Sequence, residues 1–179
     1  KSRYNIERIF FSDELLIMSK NRIIEICDNV APLKMNWSCQ GRINLVSEEI
    51  LLKMKEAGCT DGGYGVESAS QKILDSMLKK IDVKKAEEVI KLTKKVGLKP
   101  NIQYTFGYPG ENMETIRETI EFFKRVDEPA VQLTPITPLP GSQLWVDCIN
   151  DGTIKDEASF LEKLEGGYMP DAPLLVNFT

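Results

Sequence analysis

The chain of 179 residues contains no histidine, so no imidazole is available as base, proton shuttle or metal ligand. Its four cysteines, Cys27, Cys39, Cys59 and Cys148, never fall two or three residues apart. Zinc-ribbon, thioredoxin-type and iron–sulfur spacings therefore all fail. No apolar run approaches the ~18–20 residues that would span a bilayer. The opening KSRYNIERIF has neither the apolar stretch nor the cleavage site of a signal peptide. A cytoplasmic protein with reduced thiols is expected, all four cysteines acting as small buried hydrophobes. The net charge is −4 and the Lys and Arg residues are scattered. A duplex-binding protein shows a clustered basic face, so the expected partner is a small molecule, with no nucleic acid and no membrane.

What is present is an alternation of short β-like runs and amphipathic helical patterns. The run Ile6 to Ser12 reads as a strand ending at Asp13 and Glu14. Ser19 can cap a helix carrying Ile23, Ile24, Cys27 and Val30, with Pro32 closing it. Lys34 to Ile43 is the second strand candidate. Ser47 caps a helix with Ile50, Leu51, Met54 and Ala57 on one stripe, stopped by Gly58. A strand over Gly62 to Ser68 follows, then a short helix from Ser70 and a longer one from Asp82 to Gly97. Asn101 to Glu111 reads as a strand running into a Gly/Pro turn. Asn112 caps a helix expected to place Met113, Ile116, Ile120 and Phe123 on its apolar face. VQLTPITP gives a last strand and SQLWVDCIN a final helical turn or two. Beyond Asn150 the periodicity fades, leaving one helix over Glu157 to Leu164 and mostly loop signals. Repeated βα alternation with short connections predicts right-handed βαβ units and a parallel sheet, α/β in class. Closure into a barrel does not follow from periodicity.

In parallel α/β folds ligands collect at the carboxyl ends of the strands. Glu67 and Ser68 offer a carboxylate and a hydroxyl suited to a ribose diol, or else simply open a helix. The segment Gly107, Tyr108, Pro109, Gly110 and Glu111 can hold backbone groups against a planar ring, or be a plain strand-to-helix turn. Arg42 can fork onto a ligand carboxylate, or pair with Glu48 or Glu49 on the surface. Asp13 and Glu14 can face a ligand or merely precede a helix. Trp37 reads as a core aromatic rather than a stacking platform.

Five segments in order resemble the radical S-adenosylmethionine (SAM) superfamily: IFFSDE, WSCQGRINLVSEEILLKMKEAGC, GGYGVESASQKILDSMLKK, NIQYTFGYPGENMETIRETIEF and TPITPLPGSQLW. They look like the second to sixth strands of that family's barrel, and are most similar to the cobalamin-linked subgroup that includes anaerobic magnesium-protoporphyrin monomethyl ester cyclases. The resemblance implies a partial (βα) barrel with parallel strands, its first strand missing, over residues 1–149, with 150–179 a C-terminal extension. It implies SAM and a [4Fe–4S] cluster as cofactors of the parent enzyme, with cobalamin brought by another domain. The parent would generate a 5′-deoxyadenosyl radical for hydrogen abstraction from an organic substrate, a tetrapyrrole among the candidates. Position by position, Glu67 and Ser68 match the segment at the SAM ribose and amino-acid part, and Phe106 with Gly107 to Glu111 the turn flanking adenine. Ile136, Thr137 and Pro138 match the backbone that meets adenine, while Arg42 and Asp13 match strand ends facing the cavity. The family's C-x-x-x-C-x-x-C loop lies upstream of the position matching Lys1, so this chain is expected not to cleave SAM by itself. The open edge left beside the IFFS strand is expected to pair with a second copy. Two rival readings are a cluster-free scaffold or binding module, and an aldolase-like barrel. The second leans on a Lys or His base, which the inspected strand ends lack.

Overall fold

The computed structural model describes residues 4–13, 16–128 and 132–165. Five strands, β1 (Arg8–Phe11), β2 (Asn36–Gly41), β3 (Cys59–Glu67), β4 (Lys99–Phe106) and β5 (Gln132–Pro135), lie side by side in chain order. Every neighbouring pair is parallel. Sheet order equal to chain order is the product of repeated βα units turning one way, as in a barrel; a doubly wound sheet reverses direction. The five strands form a curled half-barrel, with β1 and β5 as its edges among the described residues.

Helices α1 (Lys20–Val30), α2 (Glu48–Glu56), α3 (Gln71–Ser76), α4 (Val83–Lys95) and α5 (Met113–Val126) connect the strands, and α6 (Gln143–Asn150) and α7 (Glu157–Glu165) follow β5. Their starts obey the capping residues. Ser19, Ser47 and Asp82 accept from the backbone N–H of Arg22, Ile50 and Lys85. Asn112 and Thr115 complete a reciprocal capping box. Ser70 stands at the N-cap of α3 but makes no side-chain cap bond; its own N–H donates instead to Ser68 Oγ at 3.1 Å.

One face of the sheet is packed. Trp37, Tyr64, Ile102 and Tyr104 alternate with inward residues and are buried under the helices. Trp37 Nε1 donates to Ala57 O at 2.9 Å and its ring meets Phe11 edge-on at 5.6 Å. The Tyr64 hydroxyl lies 3.0 Å from Thr93 Oγ1 on α4. Tyr104 packs on Phe122 and Phe123 of α5, 6.2 and 4.6 Å between centroids.

Several boundaries move relative to the sequence. β3 starts at Cys59 rather than Gly62, which brings Asp61 into the sheet. β2 stops at Gly41, and Ile43–Leu45 form a 3₁₀ turn. α1 ends at Val30, with Pro32 inside a following 3₁₀ turn. The apolar face expected on α5 is corrected: Met113 and Ile120 are about half exposed, and Thr115, Phe122 and Val126 are the buried residues. The stacking of Phe122 and Phe123 on Tyr104 sets the helix rotation, and Thr115 is drawn inward by its capping bonds to Asn112. Trp145 and Cys148 of α6, Ile154 of the loop after it and Phe160 of α7 make a small separate cluster. Glu14, Val131 and residues 166–179 of the extension lie outside the described residues.

Candidate functional site

Parallel pairing brings all five carboxyl tips to one end of the half-barrel. The Glu67 tip of β3 pairs with Tyr104 of β4, and Gly107 follows directly after β4. Below these tips the concave face carries Gln40, Gly63, Gly65, Glu67 and Gln103, which line a cavity of about 850 Å³. Its remaining wall comes from the exit of β2, Gly41 to Leu45, and from the α3–α4 loop, Leu78 to Ile81.

Glu67 is built into this site by the backbone. A bulge shifts the β3–β4 register between Gly65 and Glu67, and Glu67 adopts a left-handed φ of 68°. Left-handed non-glycine residues cost of order 1–3 kcal/mol and collect at functional sites. Of the six such residues among those described, Glu67, Leu78 (φ 55°) and Lys80 (φ 50°) all line this one cavity. Glu67 Oε1 accepts from Lys79 Nζ at 3.0 Å. Gly65 makes room for it, since a Cβ there would stand 2.9 Å from that same oxygen. Ser68 is buried and spent on the Ser70 amide, which favours the helix-opening role for it.

The turn after β4 is formed by Tyr108, Pro109, Gly110 and Glu111. The Glu111 N–H donates to Tyr108 O at 2.9 Å, and Gly110 supplies the positive φ, 92°, that a type II turn needs at its third position. The Glu111 carboxylate folds back to accept from Gly107 N–H at 2.5 Å. Burial raises the Glu111 pKa, and the Gly107 amide partly opposes it. Tyr108 Oη donates to Ser76 O at 3.2 Å, tying the turn to the end of α3. Ile136 N–H donates to Phe106 O at 2.8 Å, which brings Ile136, Thr137 and Pro138 alongside this turn.

Arg42 is exposed, lines the cavity, and makes no ion pair with Glu48 or Glu49; those carboxylates hold Lys95 and Lys20. The surface pair weighed from the sequence is thus corrected, because each acid faces away to a neighbouring helix. Asp13 forms an ion pair with Arg22 at 2.5 Å and does not line the cavity. Gln40, which the sequence places with Arg42 at the end of the second strand, lines the cavity. Sequence reading passed over Lys79 and Gln103; Gln103 follows from period-two alternation with Asn101, once the strand registers are known. It also passed over Asp61, a buried carboxylate at the opposite end of the concave face. Asp61 accepts from Asn101 Nδ2 and Thr60 Oγ1, both at 2.7 Å, and from the Arg8 guanidinium across β2.

The four cysteines are buried and free. Cys39 and Cys59, distant in sequence, meet in the core. Their hydrogen bond and burial push the Cys59 thiol far up, and burial pushes Cys27 up to about 11. Among the described residues no cluster of three or more potential metal ligands exists, so the residues present do not fit a [4Fe–4S] cluster. What the cavity offers an adenosyl ligand is a carboxylate at a strand tip, Glu67, beside a strand that presents Gly63 and Gly65 to the open face.

Residues 7–123 match the Radical SAM superfamily. The chain belongs to it. An uncharacterised methyltransferase of Pyrococcus horikoshii is 35% identical over 79% of this chain and 31% of its own length. The bacteriochlorophyllide d C-8(2)-methyltransferase of Chlorobaculum tepidum is 27% identical over 82% of this chain and 33% of its own length. Among solved structures, the radical SAM methyltransferase TsrM of Kitasatospora setae, with cobalamin and a [4Fe–4S] cluster bound, superposes with a TM-score of 0.73. That superposition covers 84% of this chain and 30% of TsrM at 14% identity. This chain therefore spans about a third of the length of the relatives it matches. Among the described residues no helix is long and apolar enough to cross a membrane.

Proposed function

We propose that this chain is the SAM-binding wall of a radical SAM methyltransferase, holding the adenosyl group across the tips of β3, β4 and β5. The observation that carries it is the shared end of the sheet: Glu67 ends β3, and Gly107 to Glu111 and Ile136 to Pro138 follow β4 and β5, three adjacent parallel strands. Glu67 then accepts from the ribose diol. The backbone of Gly107 and Ile136 faces adenine, and Tyr108, anchored on Ser76, holds that backbone still. Bound SAM supplies the adenosyl-radical and methyl chemistry of the superfamily. The chain's own residues bind it, orient it and keep water away from it.

On this reading the chain by itself holds no cluster and is inactive alone, with iron and sulfide held elsewhere in the protein; the lack of any gathered set of ligands among the described residues supports it. Cobalamin enters the reading through the cobalamin-bound relative, and a tetrapyrrole substrate through the name of the Chlorobaculum tepidum relative. The free edge of β1, with Phe10 56% exposed, suits pairing with a second copy. Buried free cysteines suit a reducing cytoplasm.

The test is amide NMR of the chain titrated with S-adenosylhomocysteine. Shifts concentrated at Gly65 to Ser68, Gly107 to Glu111 and Ile136 to Pro138 support the proposal. Saturable shifts confined to the groove between β1 and α1, around Phe11 and Asn29, or none at millimolar ligand, overturn it.

A further inference from the structure

We infer that the substrate handled at this site carries a carboxylate on an apolar body, and that Arg42 and Lys80 receive that carboxylate at the cavity mouth. The inference rests on the SAM-binding reading and deepens it. It starts from charge. The ionisable residues lining the cavity are Arg42, Glu67, Lys79 and Lys80, three cations against one carboxylate, in a chain whose net charge is −4. Lys79 is engaged by Glu67 at 3.0 Å. Arg42 and Lys80 remain, and neither pairs with an acid among the described residues: Glu48 and Glu49 hold Lys95 and Lys20, and Asp82 caps α4.

SAM does not account for this surplus. At neutral pH its carboxylate is cancelled by its ammonium and the sulfonium leaves it a net cation, so a SAM site alone calls for no excess of positive residues. Two unengaged cations on one wall call for an anion. A guanidinium presents the planar fork that matches a carboxylate, and a partly enclosed cavity strengthens the attraction over that on an open surface.

The backbone that carries Lys80, in the loop between α3 and α4, is tied to the exit of β2 that carries Arg42. Asn44 Nδ2 donates to Lys80 O at 2.7 Å, which ties Lys80 to the exit of β2 where Arg42 sits. Gln71 Nε2 holds Ile81 O at 3.0 Å on the next residue. Leu78 and Lys80 are both held left-handed, conformations a free loop of non-glycine residues leaves. Leu78, 82% exposed, and Leu45, 41% exposed, line the same cavity. Two open leucines next to two open cations describe the complement of an amphipathic anion.

A matched pair of probes tests it: 1-pyrenebutyrate and 1-pyrenebutanol share one apolar body and differ in charge. Binding is read by fluorescence anisotropy on the full chain with S-adenosylhomocysteine present. Pyrenebutyrate is expected to bind roughly tenfold tighter than the alcohol at low salt, with the preference shrinking as salt rises. Arg42→Gln and Lys80→Gln should each remove most of that preference, while Lys80→Gln leaves the S-adenosylhomocysteine shifts at Gly107 to Glu111 in place. Equal binding of the two probes, or a preference that survives both substitutions, overturns the inference. So does an Arg42→Gln chain that loses S-adenosylhomocysteine yet keeps the preference, which would assign the arginine to the cofactor. A chain that prefers pyrenebutyrate but shows no S-adenosylhomocysteine shifts would sink the SAM reading alone.

Discussion

The two faces of the sheet are made of different residues for different ends. On the convex face Trp37, Tyr64, Ile102 and Tyr104 are all but fully buried, and each packs on a helix. On the concave face the same strands carry Gln40, Gly63, Gly65, Glu67, Asn101 and Gln103, glycines and hydrogen-bonding side chains around a cavity or an ion-pair network. Period two along each strand places both sets in one sequence without conflict. Burial on the outer face holds the fold, and the inner face is thereby free to be shaped by a ligand. Substitutions should therefore sort by face: outer ones lower stability, inner ones lower affinity.

The largest effect is expected on the outer face, from Trp37→Ala. The indole is fully buried, donates to Ala57 O and braces Phe11. Its loss leaves a cavity, an unpartnered carbonyl and a loosened β1 edge, and costs about 3–5 kcal/mol. Urea unfolding measures this. A loss under about 1 kcal/mol would mean that the convex face is not what keeps the half-barrel together.

The inner face is probed by Gly65→Ala. The new Cβ would lie 2.9 Å from Glu67 Oε1, the far end of a flexible side chain. That carboxylate can swing away, so stability should change by less than about 1 kcal/mol. Swinging away, however, breaks the contact with Lys79 and removes the carboxylate from its tip. Affinity for S-adenosylhomocysteine should fall about tenfold, or roughly 1.4 kcal/mol. Unchanged affinity alongside a large stability loss would reverse the comparison between the faces.

How much of this was readable in the residues differs between the faces in the same way. The helix starts at Ser19, Ser47, Asp82 and Asn112 were legible because capping is local chemistry, settled within four residues. The strand order was legible because βα repetition leaves few arrangements, and Trp37 and the cysteines declared themselves as core. The concave face was not. Asp61 looks like a turn residue until the register with Ser38 and Lys99 places it inside β3. The Glu67–Lys79 contact spans twelve residues through a left-handed bend that no propensity announces. The Met113 and Ile120 stripe misled because the rotation of α5 is set by Tyr104, a partner on another element. Tip residues such as Glu67 and Gly107 stood out only through their order along the chain, which pattern reading alone leaves open to plain turn chemistry.

The smallest effect belongs to Glu111, in the turn between the tip of β4 and α5. Its carboxyl is buried, its pKa is raised by that burial, and the Gly107 amide offsets part of the rise. A carboxyl whose folded-state pKa exceeds its unfolded value favours the fold while it is protonated. That contribution is complete below the ordinary glutamate range, near pH ~4, and drains away as the pH climbs through the raised value. Glu111→Gln keeps a carbonyl oxygen for the Gly107 N–H but carries no charge to bury. The two proteins should unfold within about 0.5 kcal/mol of each other at acid pH. Toward pH 8 the glutamine protein should become the more stable, by a few degrees at most in thermal midpoint. If the wild type instead gains on the variant as the pH rises, the charged carboxylate is stabilised at this turn. The Gly107 amide would then outweigh burial, and Glu111 would serve the adenine-side turn as a fixed anion rather than as a buried acid.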